Sequence, residues 1–270
     1  MADSFMMRLT PKAIRDKKAK KEKIAVLTAY DFPFARMFDA AGVDVVLVGD
    51  SLGMVVLGHA STVPVTMRDM LHHTRAVARA VKQALVVADM PFGSYAAPDQ
   101  ALRNALRLVK EAGADAVKLE GGRSVEKQVS RLVQAGIPVM GHIGMTPQTA
   151  GGLGGYKVQG RDPKQAAQIS ADAKCLDGLG VFAMVLECVP SALAAKITRQ
   201  VKCPTIGIGA GAGTDGQVLV MHDMLGIESG VRPRFVRRYA ELEKTVSQAA
   251  QNYLSDVRSG KFPSKVESFE

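Results

Sequence analysis

Tryptophan is absent from this chain and cysteine nearly so, with Cys175, Cys188 and Cys203 the only three. An odd cysteine count with no C-x-x-C spacing excludes a disulfide scaffold and a cysteine-rich zinc site, leaving reduced, structural thiols. No apolar run approaches the roughly 18 residues that a membrane-spanning helix needs. Met1 to Lys23 carries no apolar stretch of signal-peptide length. These absences point to a cytoplasmic location. With no internal repeat and no linker composition, residues 1–270 are expected to form a single domain with a basic N-terminal arm at about 1–23.

The formal net charge is +9, a value that raises the question of a nucleic-acid partner. Much of the excess is local, in Lys12 to Lys21 and in Arg232 to Arg238. No helix-turn-helix, RNP or zinc-finger pattern accompanies it, so it reads as solvated helix faces and an arm, with no nucleic acid and no membrane as partners. A weaker functional reading is attraction of a polyanionic substrate.

What the chain has is short aliphatic runs that end in acids. Val45-Val46-Leu47-Val48 closes on Gly49-Asp50-Ser51, Val86-Val87-Ala88 on Asp89, Val117-Lys118-Leu119 on Glu120 and Val185-Leu186 on Glu187. Continuous aliphatic runs of this length fit strands buried on both faces of a parallel sheet. Further strands are expected at Lys23–Thr28, Pro138–Gly141, Thr205–Ile208 and Val218–Met221. Helical spacing lies between them, for example from Met67, with Thr66 as cap, and from Pro98 to Ala112. Eight strands alternating with helices predict an α/β fold, a (β/α)8 TIM barrel of about 250 residues, with an open α/β sheet as the alternative. Gly209 to Gln217 is too short for a full helix between the last two strands.

In a barrel the C-terminal strand ends share one mouth. Asp50, Asp89 and Glu120 would converge there, and three carboxylates together must be protonated or neutralised by a cation. Hard oxygen ligands without a Cys or His cluster suggest Mg2+; the alternative is helix capping or pairing with a local Arg. Lys118, two residues before Glu120, shares its face. It would neutralise the acids, hold an anionic substrate or form a Schiff base. Glu187 stands apart in strand order, which suits a general base or acid. Ser51 could donate to a substrate carboxylate, and His142 could be a pocket contact. The run Gly207 to Gly213 follows a strand where barrels often bind phosphate, but a tight turn explains it equally. Gly151 to Gly160 is too glycine-rich for regular structure and reads as a functional or moving loop.

The stretches Leu27-Thr28-Ala29-Tyr30-Asp31, Val48-Gly49-Asp50-Ser51-Leu52-Gly53-Met54 and Ala88-Asp89-Met90-Pro91-Phe92 resemble the ketopantoate hydroxymethyltransferase family. So do Val117-Lys118-Leu119-Glu120-Gly121-Gly122, Gly141-His142-Ile143-Gly144-Met145-Thr146-Pro147-Gln148 and Leu186-Glu187-Cys188-Val189-Pro190. The resemblance runs in one register over about residues 10 to 265. It implies a Mg2+-dependent (β/α)8 transferase of pantothenate biosynthesis, a cytoplasmic homo-oligomer, usually a homodecamer. The implied reaction moves a one-carbon unit from 5,10-methylenetetrahydrofolate to 3-methyl-2-oxobutanoate through an enolate, giving 2-dehydropantoate. The resemblance also implies Asp50, Asp89 and Glu120 as metal ligands, Asp50, Ser51, Asp89 and Lys118 as substrate contacts, and Glu187 as proton acceptor. A related Mg2+-dependent lyase or aldolase that acts on 2-oxo acids without folate is the alternative.

Overall fold

The aliphatic runs are strands, and β-branched residues are why: Val and Ile fit a pleated surface packed on both sides. In a computed structural model they are β1 (Ile24–Thr28), β2 (Val45–Val48), β3 (Leu85–Asp89), β4 (Ala116–Glu120), β5 (Val139–Gly144), β6 (Ala183–Glu187), β7 (Thr205–Ile208) and β8 (Gly216–Leu219). Each pairs in parallel with the next, and β1 pairs with β8 to close the barrel. Every residue of β2, β3 and β4 is buried. Closure brings two backbones together at Gly216, where a Cβ would stand 2.4 Å from the carbonyl oxygen of Ile24. Only glycine fits there.

The structure describes residues 8–152, 155, 157–227 and 233–269. They divide into a unit ending at Val220, which contains the whole barrel, and a unit from Met221 to Glu270. The helices of the first unit are α1 (Pro11–Lys20), α2 (Phe32–Ala40), α3 (Leu52–Val55), α4 (Met67–Ala80), α5 (Pro98–Lys110), α6 (Glu126–Gln134), α7 (Pro163–Leu179) and α8 (Ser191–Gln200). The second unit holds α9 (Met221–Leu225) and α10 (Leu242–Arg258).

The eightfold alternation and the missing helix between β7 and β8 agree with the sequence pattern. The elements shift in detail. The fifth strand runs on to Gly144, past the expected Gly141, because it pairs with β6 from Met140 to Gly144. The eighth starts two residues earlier than expected, because Gly216 pairs with both Ile24 and Ile206. The C-terminal helix runs from Leu242 to Arg258. Residues 1–7 of the basic arm and Arg232 of the second basic cluster lie outside the described residues.

The rest of the arm is not a solvated tail. Thr10 Oγ1 caps α1 by accepting the Ala13 amide at 3.1 Å, and the helix then directs Lys17 and Lys18 into the N-terminal rim of the barrel. Lys18 Nζ donates to the carbonyls of Thr198 and Cys203 at 2.7 and 3.0 Å and pairs with Asp215 at 3.0 Å. Lys17 lies 2.9 Å from Asp44. Part of the basic excess is thus spent inside the fold.

Acids of this N-terminal rim hold strand starts. Asp44, Asp115 and Asp215 accept the amides of Ala25, Val86 and Thr205 at 2.8 to 2.9 Å. Asp39, at the end of α2, accepts those of Lys82, Gln83 and Ala84 at 2.8 to 2.9 Å. Asp39→Ala leaves three inward amides without their acceptor, and a loss of about 3 kcal/mol is expected. Denaturant unfolding checks this; a loss under about 0.5 kcal/mol contradicts the structural role.

Candidate active site

At the other rim, alternation along β4 turns both Lys118 and Glu120 into the barrel. Register sets their neighbours: Asp89 lies opposite Lys118, and Glu120 opposite His142. Lys118 Nζ is 2.9 Å from Asp89 Oδ1 and 3.2 Å from His142 Nδ1. His142 Nδ1 is 3.4 Å from Glu120 Oε1, and its Nε2 is 3.2 Å from Glu187 Oε2. Asp50 joins them from beyond β2, where its backbone amide donates to Asp89 Oδ2 at 3.0 Å. Asp50, Asp89, Lys118, Glu120 and His142 are each at most 4 % exposed. Glu187 is the more open member, its side chain 14 % exposed. The structure therefore gathers into one cluster all the charged residues that the sequence singled out.

Ser51 stands at the cluster's edge, its Oγ 2.8 Å from the Tyr30 hydroxyl. It makes no cap hydrogen bond to α3. Gly49 serves space rather than a special turn, since a Cβ there would stand 2.8 Å from Ser51 Oγ. Cys188, immediately after Glu187, adopts φ 48°, a region that a side chain disfavours, and so the strand bends away directly behind that carboxylate. The Gly207 to Gly213 run is a close-packed turn: a Cβ on Gly211 would lie 2.5 Å from Ser191 Cβ. In the Gly151–Gly160 loop, Leu153, Gly154 and Tyr156 lie outside the described residues.

Sequence reasoning passed over three residues. Gln148, 3 % exposed, sends Nε2 to Asp50 Oδ2 at 2.8 Å and to the Met90 carbonyl at 2.9 Å. Its own amide donates to Glu120 Oε2 at 3.0 Å. The Tyr95 hydroxyl donates to Gln148 Oε1. Tyr30, buried beside Ser51, is the third. Gln148 lay within a quoted motif, yet nothing in a lone glutamine signals chemistry.

The electrostatics follow from this crowding. Burial, and then the charges of Asp89 and Glu120, push the Asp50 carboxyl well above its usual range. Burial and the Lys118 ammonium press His142 toward neutrality, but hydrogen bonds to Glu120 and Glu187 prevail and raise it to about 9. Burial likewise opposes the charge of Lys118, yet Asp89, Glu120 and Asp50 outweigh it and hold an ammonium. A lysine held charged is a poor amine nucleophile, so of the three roles open to it the imine is disfavoured. Four carboxylates thus face one ammonium and one imidazolium. Ionised throughout, the cluster carries two negative charges in excess.

That excess is the test for a cation. Asp89 Oδ1, Glu120 Oε1 and His142 Nε2 are buried without an aligned hydrogen-bond partner. Among the described residues, no three His, Cys, Asp or Glu side chains form a ready-made metal cage. A dication that takes one or two carboxylates and keeps waters or substrate oxygens as its other ligands needs no such cage, and Mg2+ is of that kind. The donor set fits it.

A model of the family described as ketopantoate hydroxymethyltransferase matches residues 8–265. The chain belongs to the ketopantoate hydroxymethyltransferase family. The 3-methyl-2-oxobutanoate hydroxymethyltransferase of Carboxydothermus hydrogenoformans is 56% identical over 265 residues, 98% of this chain and 96% of that protein. That of Syntrophus aciditrophicus is 54% identical, over 97% of each chain. Among solved structures, phosphonopyruvate hydrolase in complex with oxalate and Mg2+ superposes with a TM-score of 0.61 at 12% identity, over 96% of this chain and 93% of that one. A 2,3-dimethylmalate lyase gives 0.62 at 17%, over 96% and 92%. These two likenesses establish the shared barrel.

A raised carboxyl has a stability signature. Because folded Asp50 binds its proton more tightly than the unfolded chain does, its contribution is full below the unfolded value of about 3.9 and is lost as pH rises through the folded value. Metal-free Asp50→Asn is therefore expected to gain stability relative to the unsubstituted protein as pH rises above the unfolded value of about 3.9. Thermal melting in EDTA checks this; a relative loss as pH rises contradicts it.

Proposed function

We propose that this chain transfers a hydroxymethyl unit from 5,10-methylenetetrahydrofolate to 3-methyl-2-oxobutanoate, giving 2-dehydropantoate and tetrahydrofolate, with Mg2+ as cofactor. The observation that carries the reading is the gathering of four carboxylates against one ammonium and one imidazolium at the mouth, in a chain whose family is known. Asp50, Asp89 and Glu120 would hold the ion. When bound, Mg2+ polarises the keto oxygen and offsets the negative charge that grows as the C3–H bond breaks.

The rest is done by side chains of this chain. The Lys118 ammonium and the Ser51 hydroxyl offer donors for the substrate's carboxylate, and the Tyr30 hydroxyl beside Ser51 orients that second donor. Glu187, with one side open, accepts the C3 proton. His142, 3.2 Å from Glu187 and charged in its resting state, holds that carboxylate in place. The buried aliphatic strands below the cluster exclude water from the floor, where these interactions are strongest. As the carbon nucleophile forms its C–C bond to the one-carbon unit, both C–N bonds of the folate's methylene bridge are lost. Water supplies the hydroxyl oxygen, and the two folate nitrogens take up the C3 proton and one proton of the water, giving tetrahydrofolate.

Family membership also supports a cytoplasmic homo-oligomer, by resemblance a homodecamer, with small-molecule partners only. Among the described residues no helix is long and apolar enough to cross a membrane.

A 2-dehydropantoate assay tests the reading. Product is expected only with methylenetetrahydrofolate, to fall at least about 100-fold in EDTA, and to return with Mg2+. Full activity in EDTA, or turnover of the 2-oxo acid without folate, contradicts it.

A further inference from the structure

Gln148 sits in a single 3-10 turn, Pro147–Thr149, immediately beyond β5, while the acids it touches end β4 and follow β2. Its orientation is settled by chemistry. The Met90 carbonyl can only accept, so the side-chain nitrogen must face it, and the second proton on that nitrogen faces Asp50 Oδ2. The carboxamide oxygen is left for the Tyr95 hydroxyl, which can donate to it. Both ends of the amide are thereby fixed, at a position only 3 % exposed. The backbone amide of the same residue donates to Glu120 Oε2. One residue therefore fixes two of the three carboxylates, and Asp89 is fixed separately by the Asp50 amide and Lys118.

A buried glutamine anchored to a carbonyl, a phenol and two carboxylates has no packing reason to be polar. Its interior position is costly unless every polar atom is satisfied. What the arrangement does accomplish is to take up Asp50 Oδ2 and Glu120 Oε2 with neutral donors. Asp50 Oδ1 is left to meet a cation, and Glu120 Oε1, 3.4 Å from His142 Nδ1, has no aligned donor competing for it.

We propose that Gln148, held by Tyr95, is a positioning residue that orients Asp50 and Glu120 for the cation. The inference rests on the reading of Asp50 as a cation ligand. Partners that orient ligating groups in this way typically carry a 10- to 100-fold effect on metal affinity.

The test is Mg2+ binding measured by titration calorimetry on the full chain, with no substrate present, for the unsubstituted protein, Asp50→Asn, Gln148→Met and Tyr95→Phe. Methionine matches glutamine in length and offers no N–H. Gln148→Met is expected to weaken Mg2+ about 10-fold or more, and Tyr95→Phe about 2- to 10-fold. The loss of rate in each should shrink as Mg2+ is raised, whereas a merely structural defect would lower kcat at every Mg2+ concentration. Loss of binding in Asp50→Asn with unchanged affinity in Gln148→Met and Tyr95→Phe overturns the tether but leaves the ligand reading intact. Unchanged affinity in Asp50→Asn removes the ligand reading and the tether with it. Should Gln148→Met fail to fold, Tyr95→Phe decides alone, since it deletes one oxygen from a residue that is not fully buried: weaker binding supports the tether, and unchanged binding overturns it.

Discussion

Four carboxylates at one barrel mouth are the constraint that orders everything else here. Like charges at such distances inside a low-dielectric wall cannot all ionise unless something of opposite sign joins them. Lys118 and His142 offset half of the charge from within the chain, and both are held cationic by the acids they face. The remaining half is what a dication and a substrate would share. Binding and electrostatic relief are thus the same event at this rim.

The two rims of the barrel use one residue type for opposite ends. Around the N-terminal rim, Asp39, Asp44, Asp115 and Asp215 each accept backbone amides, and α1 adds lysines to the same network. Those acids are spent on the chain's own donors. At the C-terminal rim, Asp89 Oδ1 and Glu120 Oε1 lack aligned donors, and the cost of that is borne by the stable parallel strands beneath them. The division follows the polarity of the fold, in which stability is built at one end and chemistry at the other.

The barrel was legible because its strands are aliphatic runs of four to six residues separated by helical spacing, and a two-residue period fixes which side chains share a face. That is why Lys118 with Glu120 could be placed inward from sequence alone, and why Asp50, Asp89 and Glu187 could be set at the same rim. His142 was harder, because β5 extends beyond its apolar part and the residue reads as the start of a loop. Gln148 and Tyr95 were not legible as site residues. Their role comes from where an irregular turn places them, with no periodicity to announce it. The basic arm misled for a related reason: Lys17 and Lys18 look like solvent-facing charge, and only the fold brings Asp44 and Asp215 to meet them.

On the proposed function, this cluster takes a proton from C3 of a 2-oxo acid, with Glu187 as the acceptor. The most direct measurement is solvent deuterium exchange at C3 of 3-methyl-2-oxobutanoate, followed by proton NMR with Mg2+ present and folate absent. Exchange by the unsubstituted protein is expected, and Glu187→Gln should slow it at least about 100-fold while the protein stays folded. Undiminished exchange in Glu187→Gln would contradict the account.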